Sequence, residues 1–133
     1  MKYYGINSIG INSEFESERE SMNRLLGFFR ECHKQAKELN WEFNVNWYDL
    51  TSSDGRIITS ANALGPHNQG VFGEGGKEQV DMFFLNYNWT GVHLSHSTNR
   101  AKNMKRNPYD VYAGFDIQGR ALTQYNSRGL LNS

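Results

Sequence analysis

The sequence predicts an α/β protein, specifically part of a parallel TIM (β/α)8 barrel with about four strands joined by helices and loops. Three observations carry this expectation. Apolar runs of strand length alternate with helical patterning in the order strand, helix, strand, connection, strand, helix, strand, the rhythm of a parallel sheet with outer crossovers. Each strand opens apolar and closes on polar or aromatic residues: Asn12 and Glu14, Tyr48 and Asp49, Asn86 to Trp89, and Asp116. Functional groups gathered at the C-terminal ends of successive parallel strands mark the active face of a barrel. A doubly wound sheet would call for a Gly-rich phosphate loop directly after a strand. Gly73-Glu74-Gly75-Gly76 has neither that position nor the spacing. Length is the third observation. A whole barrel takes ~250 residues, so the 133 residues here are read as a single incomplete barrel domain, 1–133.

The first strand is placed at Tyr3 to Asn12, where two glycines allow close backbone approach. Ser17-Glu18-Arg19-Glu20 then has the form of a capping box. Behind it Met22, Leu25, Leu26, Phe29, Cys32, Ala36 and Leu39 recur at helical spacing and predict an amphipathic helix from Glu18 to Leu39. The second strand is Glu42 to Asp49, followed by a turn at Thr51 to Gly55. From Arg56 to Gln79, Gly65-Pro66 and the glycine cluster break any long helix. An irregular connection is expected there, with a helical turn near Ser60 to Leu64. The third strand, Val80 to Tyr87, is nearly all apolar in its middle, as when both faces are buried. A helix over Ser95 to Arg106 stops before Pro108, and the fourth strand runs from Asp110 to Asp116. The polar tail from Gln118 onward is assigned no element.

Asn12-Ser13-Glu14 is the triplet that points to chemistry. Side chains two apart in a strand share a face, so Asn12 and Glu14 would project together while Ser13 turns away. A carboxyl group can donate or accept a proton, and a neighbouring amide can hold a polar substituent in one orientation, as acid/base chemistry on an acetamido sugar requires. The same triplet also reads as a polar turn ahead of the next helix.

Composition narrows the partners. Lys plus Arg and Asp plus Glu are each 14, giving a net charge of zero, so nothing favours nucleic acid or an acidic membrane. Aromatic residues make up 14%; Tyr and Trp combine a flat apolar face with a polar handle and suit sugars. Cys32 is the only cysteine, so no internal disulfide is possible and a reducing, cytoplasmic setting is favoured. No signal-peptide pattern opens the chain and no apolar stretch approaches the ~20 residues of a membrane span; export remains open if a leader lies upstream. His93 and His96 share a helical face without a third ligand at zinc spacing, so no metal and no cofactor is expected. Cys32 and His33 lie on the amphipathic helix and are not read as a nucleophilic pair.

Four ordered blocks give the chain a family resemblance. Tyr-Gly-Phe-Asp-Gly-Trp, an apolar pair and Asn-x-Glu stands as Tyr4-Gly5-Ile6-Asn7-Ser8-Ile9-Gly10-Ile11-Asn12-Ser13-Glu14. Trp-Tyr-Asp followed by Gly stands as Trp47-Tyr48-Asp49 with Gly55. Phe-x-Asn-Tyr-x-Trp stands as Phe84-Leu85-Asn86-Tyr87-Asn88-Trp89. Asp-Val-Tyr-x-Gly-x-Asp-x-x-Gly-Arg stands as Asp110 to Arg120. In these the chain resembles glycoside hydrolase family 85, the endo-β-N-acetylglucosaminidases.

The resemblance implies a barrel domain represented by its central to C-terminal strands, with the first strands missing. It implies hydrolysis of the GlcNAc-β1,4-GlcNAc bond in the core of N-linked glycans, on a glycopeptide or glycoprotein, by a substrate-assisted, oxazoline-forming mechanism. Glu14 and Asn12 would be catalytic, the carboxyl group placed among aromatics. Tyr48, Trp89, Asn86, Tyr87, Asp49 and Asp116 would contact substrate. Asp-Gly-Trp stands here as Asn7-Ser8-Ile9, and Trp-Gln-Asn-x-Leu as Ser60-Ala61-Asn62-Ala63-Leu64. These changes keep open a second reading, a non-catalytic or vestigial glycan-binding fragment. Oligomeric state is not encoded in any motif.

Overall fold

In the computed structural model, which describes residues 1–115, four strands form one parallel sheet in the order β1-β2-β3-β4. They are β1 (Ser8–Ile11), β2 (Asn44–Tyr48), β3 (Met82–Leu85) and β4 (Val111–Ala113). The crossovers carry α1 (Arg19–Glu38), a short α2 (Gln69–Phe72) and α3 (Gly91–Asn103). This is the partial TIM barrel that the alternation of elements predicts. Asp116 and the tail from Gln118 onward lie outside the described residues.

Alternation along the strands separates the two faces of the sheet. Val45, Trp47, Phe83 and Leu85 are fully buried and pack with Met22, Leu26 and Phe29 of α1 and Ala101 of α3. Ile9, Ile11 and Val111 add to that layer. The opposite face carries Gly10, Asn46, Met82, Tyr48, Phe84 and Tyr112, which the register pairs across the sheet. Met82 and Phe84 are only half-buried, so β3 is not covered on both faces among the described residues, contrary to its apolar run. The inner face of the barrel sector is open, and that positions the site.

Several boundaries differ from expectation for local reasons. Lys2–Tyr4 form a 3-10 turn closed by Gly5 in the left-handed region at φ 69°, so only the second half of the predicted first strand is extended. The capping box at Ser17 does not form; Glu18 is the N-cap and its side chain makes no cap hydrogen bond. The short helix of the long connection falls at Gln69–Phe72 and not at Ser60 to Leu64. Helix α3 begins at Gly91, ahead of the predicted Ser95, because Thr90 caps it and the His93 ring accepts from the Thr90 N–H at 3.0 Å. Arg106, buried just past α3, donates to the Phe72, Val80 and Asp81 carbonyls and stacks 3.7 Å over the Phe72 ring. It ties α2 to the entry of β3.

Candidate active site

The chain leaves β1 through Asn12, Ser13 and Glu14. Ser13 is buried, and its carbonyl accepts from the Thr51 hydroxyl, itself fully buried in the loop after β2. Trp47 reaches the Thr51 carbonyl through its indole N–H at 3.3 Å. With Ser13 held against the loop after β2, away from the cleft, Asn12 and Glu14 both turn to the inner face and line one cleft of about 320 Å³. That volume lies in the range of small-ligand pockets. The next segment is held as well: Ser17 N–H donates to the Gly55 carbonyl at 2.8 Å. Gly55, at φ +87°, lies so close to Ser17 that any Cβ would strike its carbonyl, which fixes a glycine at this turn.

Tyr48 enters the same cleft from β2, with Phe84 and Tyr87 forming an aromatic wall. Their ring centroids lie 6.0 Å (Tyr48–Phe84), 6.5 Å (Tyr48–Tyr87) and 6.1 Å (Phe84–Tyr87) apart. Asn86 backs this wall: its Oδ1 accepts from the Tyr48 hydroxyl at 2.9 Å and from the Tyr87 N–H at 2.7 Å. Asn86 therefore orients two rings without lining the cleft itself. At the end of β4, Gly114 packs so closely that a Cβ would collide with the Leu85 carbonyl and the Phe84 ring.

Not every predicted contact residue reaches the cleft. Trp89 does not line it; its indole N–H donates to the Gly114 carbonyl at 2.7 Å and anchors the loop after β3 to the end of β4. Asp49 follows Tyr48 by one residue and so faces the helical layer, 1% exposed. Neither of its carboxylate oxygens has a hydrogen-bond partner among the described residues. Burial pushes its pKa up to about 7, opposed by the nearby Asn86 N–H. Glu14 was expected among aromatics but is exposed among the described residues. Asp116 lies outside them.

Four cleft residues escaped the sequence reading, Ile11 and Phe84, and with them Gly10 and Asn46. For the last two the signal was present: Asn46 precedes Tyr48 by two residues in a strand and Gly10 precedes Asn12 by two, so alternation puts Gly10, Asn12, Asn46 and Tyr48 on one face. Among the described residues no group of three or more His, Cys, Asp and Glu could hold a metal ion. No described helix is long and apolar enough to cross a membrane.

A parallel barrel sector with a carboxylate, an amide and a tyrosine converging on one cleft at the C-terminal strand ends has the layout of the barrel glycoside hydrolases. The chain belongs to glycosyl hydrolase family 85, whose family model matches residues 2–132. It is 32% identical over 110 residues to a cytosolic endo-beta-N-acetylglucosaminidase of Danio rerio, a match covering 83% of this chain and 14% of that protein. Among solved structures it is similar to the glycoside hydrolase domain of Spr0440, Endo-D from Streptococcus pneumoniae R6. That similarity has a TM-score of 0.79 at 29% identity, over 88% of this chain and 19% of the other. The chain thus spans a small part of the length of the proteins it matches.

Proposed function

We propose that this chain is the catalytic sector of an endo-β-N-acetylglucosaminidase that hydrolyses the GlcNAc-β1,4-GlcNAc bond in the core of N-linked glycans. The observation that carries the reading is the shared cleft of Asn12, Glu14 and Tyr48, with Ser13 buried between the first two. Glycopeptides and glycoproteins are the substrates. In this reading residues 1–133 are one incomplete barrel domain whose remaining strands complete the cleft, and the similarity to the cytosolic Danio rerio enzyme supports a cytoplasmic setting.

The chemistry follows from the side chains. Glu14 gives its proton to the leaving glycosidic oxygen as the C1–O bond breaks, while the 2-acetamido oxygen attacks C1 and closes an oxazoline ring that keeps its N–H as the oxazolinium ion. Asn12 accepts from the acetamido N–H, aligning the carbonyl oxygen for attack and stabilising the positive charge that develops on the ring. Tyr48, held through its hydroxyl by Asn86, bounds the acetamido group from the neighbouring strand. Glu14 then takes a proton from water as its oxygen attacks C1, the oxazoline opens, and configuration is retained. One carboxylate suffices because the substrate supplies the nucleophile.

The test is release of free glycan from a high-mannose glycopeptide by a polypeptide that supplies the rest of the barrel. Glu14→Gln is expected to lower turnover by ~10²–10⁴-fold, the contribution of a positioned general acid. Turnover unchanged by that substitution would remove the reading. A non-catalytic glycan-binding role is favoured by one observation, Asn7-Ser8-Ile9 in place of Asp-Gly-Trp; binding of the glycan without any release identifies it.

A further inference from the structure

The Asn86 Oδ1 atom accepts two hydrogen bonds, from the Tyr87 N–H at 2.7 Å and from the Tyr48 hydroxyl at 2.9 Å. A backbone N–H can only donate, so the Asn86 atom that faces it is the carbonyl oxygen and not the amide nitrogen. That oxygen has no proton to give. Tyr48 therefore directs the one proton of its hydroxyl to Asn86, and any other group that approaches the phenolic oxygen must bring a donor or a positive charge. Tyr48 ends β2 and Asn86 follows β3, and each of these strands has a neighbour on both sides. The pair thus forms without any further strand of the barrel.

Resting on the proposed function, this polarity bears on the 2-acetamido group that Tyr48 bounds. The acetamido oxygen gives a lone pair to C1 and loses electron density as the oxazolinium ring closes. A hydroxyl proton on that oxygen would bind the ground state more tightly than the transition state and slow the attack. The phenolic oxygen, turned the other way, presents the negative end of its dipole where positive charge develops. We propose that Asn86 is a positioning residue that sets the polarity of Tyr48. It holds the hydroxyl proton away from the nucleophilic acetamido oxygen and leaves the phenolic oxygen facing the developing charge.

The experiment measures kcat for glycan release from a high-mannose glycopeptide, with a polypeptide that carries the rest of the barrel. Wild type, Tyr48→Phe, Asn86→Ala and the double variant are compared. With Asn86 in place, Tyr48→Phe is expected to lower kcat ~5–10-fold, the contribution of one favourable polar contact. In Asn86→Ala the hydroxyl is released to donate to the acetamido oxygen, so adding Tyr48→Phe should raise kcat by a similar ~5–10-fold. A residue that only packed the aromatic wall would not reverse the sign. Asn86→Asp keeps an acceptor oxygen for both donors, and there Tyr48→Phe should again lower kcat. If Asn86→Ala does not fold, the tyrosine Raman doublet of Tyr48, isolated as the difference between wild type and Tyr48→Phe, decides the matter. A donor signature is expected, and an acceptor-only signature overturns the proposal. A double variant no faster than Asn86→Ala also overturns it, while turnover that still depends on Glu14 leaves the sugar-site reading intact. If the wild type releases no glycan, the sugar-site reading falls and the proposal falls with it.

Discussion

At the scale of single residues, Asp49 sets charge against burial most directly. Its carboxyl group is enclosed with no hydrogen-bond partner among the described residues, and burial pushes its pKa from 3.8 to about 7. The folded state therefore holds a proton that the unfolded state releases above about pH 4. The linkage sign follows: the folded state is favoured most below the unfolded pKa, and stability falls as pH rises from there to about 7. The accumulated penalty above pH 7 is roughly 4 kcal/mol. Asp49→Asn is expected to flatten this slope and to stabilise the protein at pH 8, measured by urea denaturation across pH 4 to 8. An unaltered slope would show that another group carries it. Tyr48→Phe removes the hydroxyl that donates to Asn86 Oδ1, and should cost about 1 kcal/mol of stability in the same measurement. Its strand-end place and its family block made Tyr48 legible as a cleft residue, and strand alternation agrees with them. Applied one position further, the same rule turns Asp49 away from substrate, although its place at a strand end suggested contact.

At the scale of elements, α1 was legible because its apolar positions repeat through twenty residues, Arg19–Glu38, and bury Met22, Leu26, Phe29 and Ala36. The start of α3 was not, because its capping partner is a histidine where glutamate or glutamine usually signals the motif. Its apolar face is also thin, with Val92 at 62% exposure. Thr90→Ala should cost about 1 kcal/mol by loss of the cap and loosen the segment that bears Trp89; hydrogen exchange over Gly91 to Leu94 would register it. The 3-10 turn before β1 was hidden because Tyr3 and Tyr4 carry strand propensity, whereas Gly5 turns the chain and leaves both rings exposed. Arg106 gave no signal beyond following a helix, since its role depends on carbonyls distant in sequence. Arg106→Met keeps much of its volume over the Phe72 ring but leaves the Phe72, Val80 and Asp81 carbonyls without this donor. A loss of about 3 kcal/mol in chemical denaturation is expected. A loss under 1 kcal/mol would mean that other partners satisfy those carbonyls.

At the scale of the whole molecule, the order of strands and the pole of the sheet that bears function could be read from sequence because both follow from local pattern. The shape of the cleft could not, since it depends on what covers the inner face. Among the described residues β1 and β4 each have one neighbour in the sheet, and open strand edges invite pairing with other chains. The face between them exposes Tyr112 to 46%, and Phe15 and Phe115 lie exposed nearby in sequence to the strand ends at 68% and 51%. Glu14 is likewise exposed, so the walls that would exclude water from a glycosidic bond are only partly built. From this we expect the 133-residue polypeptide expressed alone to release little or no glycan from a glycopeptide and to self-associate in light scattering. A polypeptide that also carries the remaining barrel strands should be monodisperse and active, with Glu14→Gln removing the activity. Robust turnover by the 133-residue polypeptide, abolished by that same substitution, would show that four strands enclose enough of the cleft, and would sink the requirement for a completed barrel while strengthening the assignment of Glu14.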